Sequence, residues 1–212
     1  MEKTVKIIME VLLAAAACCL AWMCYDSITT PIKFNEAREY REGKVIDRLK
    51  DIRRAEAAYK NSKGDFTASF DTLIDFVKSS KEAIVLKEGE LTDEQLNEGL
   101  TEKKAVAMGL IKRDTTYVSV LVSLFGENYP IDSIRYIPFS DNQEFELAKA
   151  EIKAGNVPVK VMEAKAPFAA YLSDLDKQEL INLTELEEGL GRYAGSKFGD
   201  INIANNNAGN WE

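Results

Sequence analysis

The sequence predicts an α+β fold in which a long N-terminal helix packs on an antiparallel β-sheet, with additional helices in an enlarged head. Residues 7–25 are apolar, residues 33–60 carry apolar side chains at helical spacing, and β-branched segments separated by turn signals follow residue 80. From these three observations we divide the chain into a membrane anchor helix (1–30), an amphipathic stalk helix (31–60) and a soluble α+β head (61–212).

The composition limits the classes of function. Of 212 residues, 46% are hydrophobic and 29% are charged, which predicts a folded chain. The net charge of −8 disfavours nucleic acid as a partner, because a phosphate backbone selects basic surfaces. The chain has no histidine, which excludes every mechanism that needs an imidazole. No phosphate-binding loop, dinucleotide motif or EF-hand loop occurs in the sequence, so we expect neither catalysis nor a small-molecule substrate.

The candidate anchor is the segment IIMEVLLAAAACCLAWMCY at residues 7–25. As a helix it would span about 28 Å, close to the ~30 Å hydrocarbon core of a bilayer. Trp22 and Tyr25 lie at its C-terminal end, where interfacial aromatic residues are typical. A cleaved signal peptide and a lipoprotein signal that uses Cys18 are the alternatives, but apolar residues continue past either cleavage site. A retained single-pass helix is therefore favoured, although the Lys and Arg counts on its two sides leave its orientation open.

Glu10 is the one charged residue within this apolar segment. A carboxylate inside a bilayer costs several kcal/mol unless it is neutralised or paired. Because Lys6 lies one turn earlier, one interpretation is a side chain that reaches back to the interface. The functional interpretation is that Glu10 pairs with a positive group on a neighbouring subunit.

The stalk is basic and the head is acidic. Residues 33–60 carry nine Lys or Arg and six Asp or Glu, whereas residues 61–212 carry 16 and 26. Attraction between the stalk of one copy and the head of another would use this difference, and a solvated helix face beside anionic lipid is the alternative. Pro31 and Gly43 predict a break between anchor and stalk or within the stalk.

In the head, helical and strand patterns alternate over short distances. Helices are predicted at residues 71–78, 92–108 and 177–190, and strands at 83–87, 116–125, 133–139, 144–152, 158–164 and 192–203. Gly155 and Asn156 predict a hairpin turn. The carboxylate clusters at residues 174–176 and 185–188 are interpreted as solvated surface, since the head carries excess negative charge.

Three stretches resemble type IV pilin-like proteins, most closely the major pseudopilins of type II secretion systems. Residues 7–13 (IIMEVLL) are similar to the apolar N-terminal helix of that family, and Glu10 falls on its intramembrane glutamate. Residues 205–212 (NNNAGNWE) resemble the end of major pseudopilins, an acidic loop followed by Gly-Asn-Trp.

The third stretch is YKNSKGDFT at residues 59–67. Its Tyr59, Gly64 and Phe66 resemble the tyrosine, glycine and aromatic residue found where the helix of pilin-like proteins ends. Together the matches cover about residues 5–75 and the last eight, and residues 76–200 resemble no family pattern.

The resemblance implies a structural subunit of a secretion or pilus-type machine. It implies a single-pass protein of the inner (cytoplasmic) membrane, with its head in the periplasm or outside the cell. Its partners would be the lipid membrane and either other copies or related pilin-like subunits, assembled through the N-terminal helix with Glu10 and Lys6. The chain departs from the family at Val5 and Lys6, where the family has the Gly and Phe that flank its leader cleavage site.

The resemblance also implies a calcium loop near the C-terminus. Its ligands would be Asp200, Asn205 and Asn207, where the family offers aspartates. Because asparagine oxygens carry no net charge, such a site would bind calcium weakly. No other cofactor is expected.

Two alternatives to a pilin-like subunit remain open from the sequence. The first is a single-pass membrane protein with a non-catalytic extracytoplasmic binding head and no filament, which the Val5–Lys6 junction and the large unmatched middle favour. The second is a hydrolase that uses a pair of acidic residues in the head.

Overall fold

The computed structural model describes residues 2–88, 101, 104, 108, 112–155 and 157–212. Within these residues the chain has an α+β fold, which confirms the predicted fold class. It divides into two compact units, the first formed by Met1–Ile52 and Arg135–Glu212, the second by Arg53–Ile134. The predicted helix at residues 92–108 and the Asn156 turn position lie outside the described residues.

The N-terminal helix α1 runs from Glu2 to Lys63. The predicted break at Pro31 or Gly43 is therefore wrong, because helical structure continues through both residues. A proline inside a helix removes one backbone hydrogen bond and costs about 3 kcal/mol, which a long helix with bonded turns on both sides tolerates. Residues up to Ile52 belong to the first unit and those from Arg53 to the second. The proposed boundaries at residues 30 and 60 stay predictions.

The first unit contains a three-stranded antiparallel sheet. Its strands are β3 (Glu146–Ala154), β4 (Val157–Pro167) and β5 (Gly195–Gly199), in the order β3-β4-β5. Ala154 pairs with Val157, so the predicted two-residue hairpin connects β3 and β4. On one face, Ala164 pairs with Phe198 and Ala166 with Ser196, and all four side chains are buried.

Helix α1 packs on this small sheet. Val45, Leu49 and Ile52, whose helical spacing puts them on one face of α1, are fully buried. The apolar core of the first unit comprises these three residues with Phe34, Ile137, Phe145, Val161, Met162, Ala164, Ala166, Phe168, Ala170, Tyr171, Leu172, Leu183 and Phe198. The arrangement is loosely pilin-like.

Two further helices belong to the first unit, α4 (Phe168–Tyr171) and α5 (Lys177–Gly189). Helix α5 was predicted and the single turn α4 was not. The Asp176 carboxylate caps α5 by accepting hydrogen bonds from the backbone N–H groups of Gln178 and Glu179. Asp176 is thus an N-cap rather than only a solvated acid.

The second unit contains helix α2 (Phe70–Ser79), the hairpin strands β1 (Lys81–Glu88) and β2 (Lys112–Ser119), helix α3 (Val120–Phe125) and most of a 3-10 helix (Ile131–Arg135). Helix α2 buries its apolar face through Phe70, Leu73 and Val77. The apolar core of the second unit comprises Ala55, Phe66, Phe70, Leu73, Ile74, Phe76, Val77, Val120, Ile131 and Ile134.

Three predicted strands differ from the structure. The strand predicted at residues 116–125 ends at Ser119, because Ser119 pairs with Lys81, the residue at which β1 begins. Residues 120–125 instead form α3, whose first N–H, that of Val120, donates to the Ser80 carbonyl at 3.0 Å.

The strand predicted at residues 133–139 is replaced by the end of the 3-10 helix and one bridge between Tyr136 and Glu144. The Ser133 N–H donates to the Pro130 carbonyl at 3.0 Å, which closes a tight turn in place of a ladder. The strand predicted at 192–203 is limited to Gly195–Gly199, since the Asp200 carboxylate accepts the Asn202 N–H and turns the chain.

Candidate functional site

The N-terminal part of α1 exposes its apolar side chains. Every large apolar side chain between Val5 and Ile32 is exposed, Leu13 by 75% and Trp22 by 71%. Among the described residues, α1 is the one helix long and apolar enough to cross a membrane. A helix segment that is apolar on all sides and that no other described residue covers is typical of a membrane span. The candidate membrane anchor is therefore this segment.

Glu10 and Lys6 lie on one face of the anchor. This face also carries Ala14 and Ala17, with Met9 and Leu13 beside them. Small side chains let another helix approach closely, and a polar group at such a contact can hydrogen-bond across it. The two charged residues singled out in the sequence thus share a face with the residues that best suit helix–helix contact.

Two arginines just beyond the anchor hold α1 to the rest of the first unit. Arg41 makes a two-pronged ion pair with Asp174, and its Nη1 also donates to the Tyr171 carbonyl at 2.9 Å. The Arg38 guanidinium lies over the Phe168 ring, 5.5 Å from its centre, and pairs with Glu42 at 3.2 Å. Both guanidinium groups therefore have partners within the protein's own first unit.

The Arg41–Asp174 pair shifts the titration of both groups. The hydrogen bond from Arg41 holds the pKa of the Asp174 carboxyl below its ordinary value, and the same bond raises the pKa of Arg41. Each charged form stabilises the other. Asp174 was interpreted from the sequence as a surface acid. In the structure it instead holds α1 to the rest of the first unit.

The helix exit at residues 59–67 folds as a local cluster in the second unit. Gly64 has φ +74°, and its N–H donates to the Lys60 carbonyl at 2.7 Å, a left-handed helix end that favours glycine. Phe66 is buried, with the Lys60 ammonium 4.3 Å from its ring centre. The Tyr59 ring packs edge-on against Phe76, with ring centres 5.1 Å apart.

Sequence reasoning missed Glu56 in this cluster. Its side chain is fully buried, and its Oε2 accepts the N–H of buried Thr67 at 3.0 Å. The sequence did offer one signal for it: this glutamate lies on the same face of the stalk helix as the apolar residues that the helical spacing predicts to be buried. The three motif residues Tyr59, Gly64 and Phe66 thus lie at the end of α1, where the Glu56 carboxylate stabilises the chain that follows by accepting the Thr67 N–H.

The Gly-Asn-Trp end covers the outer edge of β5. Asn210 accepts the Lys197 N–H at 3.0 Å through its side-chain oxygen and donates to the Gly195 carbonyl at 2.8 Å through its side-chain nitrogen. Gly209 forms a bridge with Phe198, and a Cβ on Gly209 would lie 2.4 Å from the Trp211 ring. Gly209 and Asn210 therefore each have a structural reason for their identity.

The predicted calcium ligands all belong to the segment that follows β5. Asp200 accepts the Asn202 N–H at 2.8 Å and the Lys197 ammonium at 3.2 Å, which lower the pKa of Asp200. The Asn205 side-chain oxygen accepts the Asn207 N–H at 3.1 Å. A cation would have to compete with the Lys197 ammonium for Asp200. The oxygen set therefore fits calcium poorly, and the calcium loop stays a prediction.

A cleft of about 530 Å³ lies in the first unit. Its walls come from α1 (Arg38 and Glu42), α5 (Glu187), the segment before β5 (Arg192 and Tyr193) and the C-terminal end (Trp211). Burial and the nearby carboxylates of Glu146 and Glu163 raise the pKa of Tyr193 to about 12, so its hydroxyl stays protonated. Sequence reasoning did not find this cleft, because its walls are far apart along the chain.

No protein-family model, curated protein or solved structure matches this chain.

Proposed function

We propose that this protein is a membrane-anchored, pilin-like structural subunit that assembles with other copies or related subunits through its N-terminal helix. In this proposal it resides in the inner membrane, with its head in the periplasm or outside the cell. Its role is assembly and not catalysis.

One observation carries the proposal: Glu10 and Lys6 share an exposed face of the anchor with Ala14 and Ala17. A carboxylate in lipid gains most when a neighbouring helix brings a donor or a cation to it. Lys6 of an adjacent copy is one such cation. The resemblance at residues 7–13, 59–67 and 205–212 supports the same class of protein.

Self-association in lipid vesicles tests this proposal. We expect Glu10→Ala to weaken association about tenfold, close to the 1–2 kcal/mol typical of one interhelical polar contact in lipid. The measurement is energy transfer between labelled copies of the full chain as the protein-to-lipid ratio is varied.

The matched control is Leu12→Ala, which alters an exposed residue of the same anchor away from the Glu10 face. It should change association less than twofold. Unchanged association of Glu10→Ala, or an equal loss in both variants, would contradict assembly through this face.

A second candidate function is a single-pass protein whose head binds another component of the envelope without forming a filament. The cleft of the first unit favours it, since it provides a recessed surface that assembly through the anchor does not use. Electron microscopy of the purified full chain separates the two candidates: ordered fibres support the subunit, and dispersed particles support the binding head.

A further inference from the structure

The cleft in the first unit has the size of a ligand site and a mixed lining. Its volume of about 530 Å³ falls in the range of about 300–1,000 Å³ typical of small-ligand pockets. Two part-exposed aromatic residues, Tyr193 and Trp211, line it together with charged side chains of both signs.

The charges that remain available in the cleft are balanced. Arg38 is paired with Glu42, and Lys197 is paired with Glu163 and Asp200. Glu187 and Arg192 also line the cleft, and among the described residues neither of these two side chains makes an ion pair. The cleft thus offers one free acceptor and one free donor of opposite charge, which selects neither a strong anion nor a strong cation.

The Trp211 ring is held by packing. It lies against Gly209, and its indole N–H has no hydrogen-bond acceptor among the described residues. The packed ring is therefore a fixed apolar part of the cleft wall. Aromatic rings that present an apolar face beside polar groups suit ligands that are themselves apolar on one face and polar at the rim.

We propose that this cleft binds a neutral, hydroxyl-rich ligand of about disaccharide size, such as a segment of a glycan chain. Hydroxyl groups both donate and accept, so a single ligand can bond to the Glu187 carboxylate and the Arg192 guanidinium at once. The faces of its rings pack on Tyr193 and Trp211. The site does not depend on assembly through the anchor, so it can be tested without that part of the account.

The test uses the tryptophan fluorescence of the full chain in phosphatidylcholine nanodiscs, which avoids sugar-based detergents. The chain has two tryptophans, so Trp22→Phe leaves Trp211 as the single reporter. The probes are three neutral tetrasaccharides, chitotetraose, maltotetraose and cellotetraose, with triglutamate and trilysine as charged peptide probes.

We expect a saturable change with at least one tetrasaccharide and none with either peptide. The double variant Glu187→Gln with Arg192→Gln should weaken binding at least tenfold. The matched control pairs Glu185→Gln, an exposed acid of α5 outside the cleft, with Lys177→Gln, and should stay within twofold. The thermal transition of each variant checks that the fold is kept.

Three results would overturn the proposal. The first is no saturable change with any tetrasaccharide. The second is saturable binding of a charged peptide in place of the sugars. The third is equal weakening by the double variant and by its matched control.

Discussion

Arg41 shows how one side chain can join helix α1 to the rest of the first unit. Its guanidinium binds the Asp174 carboxylate and the Tyr171 carbonyl and lies over the Phe139 ring, 5.2 Å from its centre. From the sequence, Arg41 was one of several stalk cations that either anionic lipid or another copy could bind. The structure places it inside the first unit, because a planar guanidinium can satisfy a carboxylate and a carbonyl together.

The Arg41–Asp174 pair predicts a pH-dependent contribution to stability. Because Arg41 lowers the folded-state pKa of Asp174, the pair stabilises the fold above the unfolded value of about 3.9, and this stability is lost as the pH falls through the folded pKa. The Asp174 side chain is 63% exposed, so solvent limits the gain to about 0.5–1 kcal/mol. We expect Asp174→Asn to lower the urea midpoint at pH 7 and to have little effect near pH 3.

The control is Asp141→Asn, which changes an exposed aspartate of the same unit. It should leave the urea midpoint unchanged at both pH values. An equal loss for Asp174→Asn at pH 7 and pH 3 would show that charge pairing with Arg41 is not the cause.

Single residues could be predicted where the requirement is local. The helix end at Gly64 was expected from the resemblance of residues 59–67 to pilin-like proteins, and a glycine after a basic last turn is a common way to end a helix. The Glu56–Thr67 and Arg41–Asp174 contacts could not be predicted, because each joins residues whose proximity depends on the tertiary fold.

At the scale of elements, the C-terminal segment acts as an added edge for the sheet. A free edge strand exposes unpaired backbone groups, and proteins generally cover such edges. Asn210 covers the edge of β5 with both ends of its amide, and the Gly199 N–H donates to the Ala208 carbonyl at 2.9 Å. The resemblance of residues 205–212 to major pseudopilins identified the segment, but not this role.

Asn210→Ala should therefore destabilise the first unit. It removes two hydrogen bonds to β5, one exposed and one part-buried, which we expect to cost about 0.5–1.5 kcal/mol because water can partly replace the lost partner. The measurement is urea unfolding of the full chain, with amide hydrogen exchange at Lys197 as a local readout.

Asn206→Gly is the matched control for this loop. Asn206 is exposed with φ +55°, a conformation that glycine adopts easily, so the change should be neutral or slightly stabilising. Unchanged exchange at Lys197 in Asn210→Ala would contradict the edge-covering role.

The type of an element could be predicted where its own side chains show a strong periodic pattern and where its length does not depend on a neighbouring strand. Helices α2 and α5 and the β3–β4 hairpin lie close to their predicted positions. The segment 116–125 has strand propensity throughout, yet it becomes helical after Ser119 because β1 provides no further partner. Strand length depends on what lies alongside, which a single segment cannot reveal.

At the scale of the whole molecule, one long helix passes through two environments. From Val5 to Ile32 its large apolar side chains are exposed, and from Phe34 to Ile52 its apolar side chains Phe34, Val45, Leu49 and Ile52 are buried. This change along α1 is what the proposed membrane anchor, continuing into a folded head, requires. This change could be predicted from the sequence, because the first part of α1 is apolar all around the helix, whereas the later part is apolar along one stripe only.

The most direct measurement is the accessibility of cysteines to a membrane-impermeant maleimide in intact proteoliposomes. Cys18 and Cys19 are exposed in the described part of the chain, so in a vesicle either lipid or a neighbouring anchor helix would shield them. We expect both to be unlabelled in vesicles and labelled after detergent is added, with Lys3→Cys and Lys33→Cys reacting from opposite sides of the membrane. Labelling of Cys18 and Cys19 in intact vesicles, or reaction of both introduced cysteines from one side, would contradict the account.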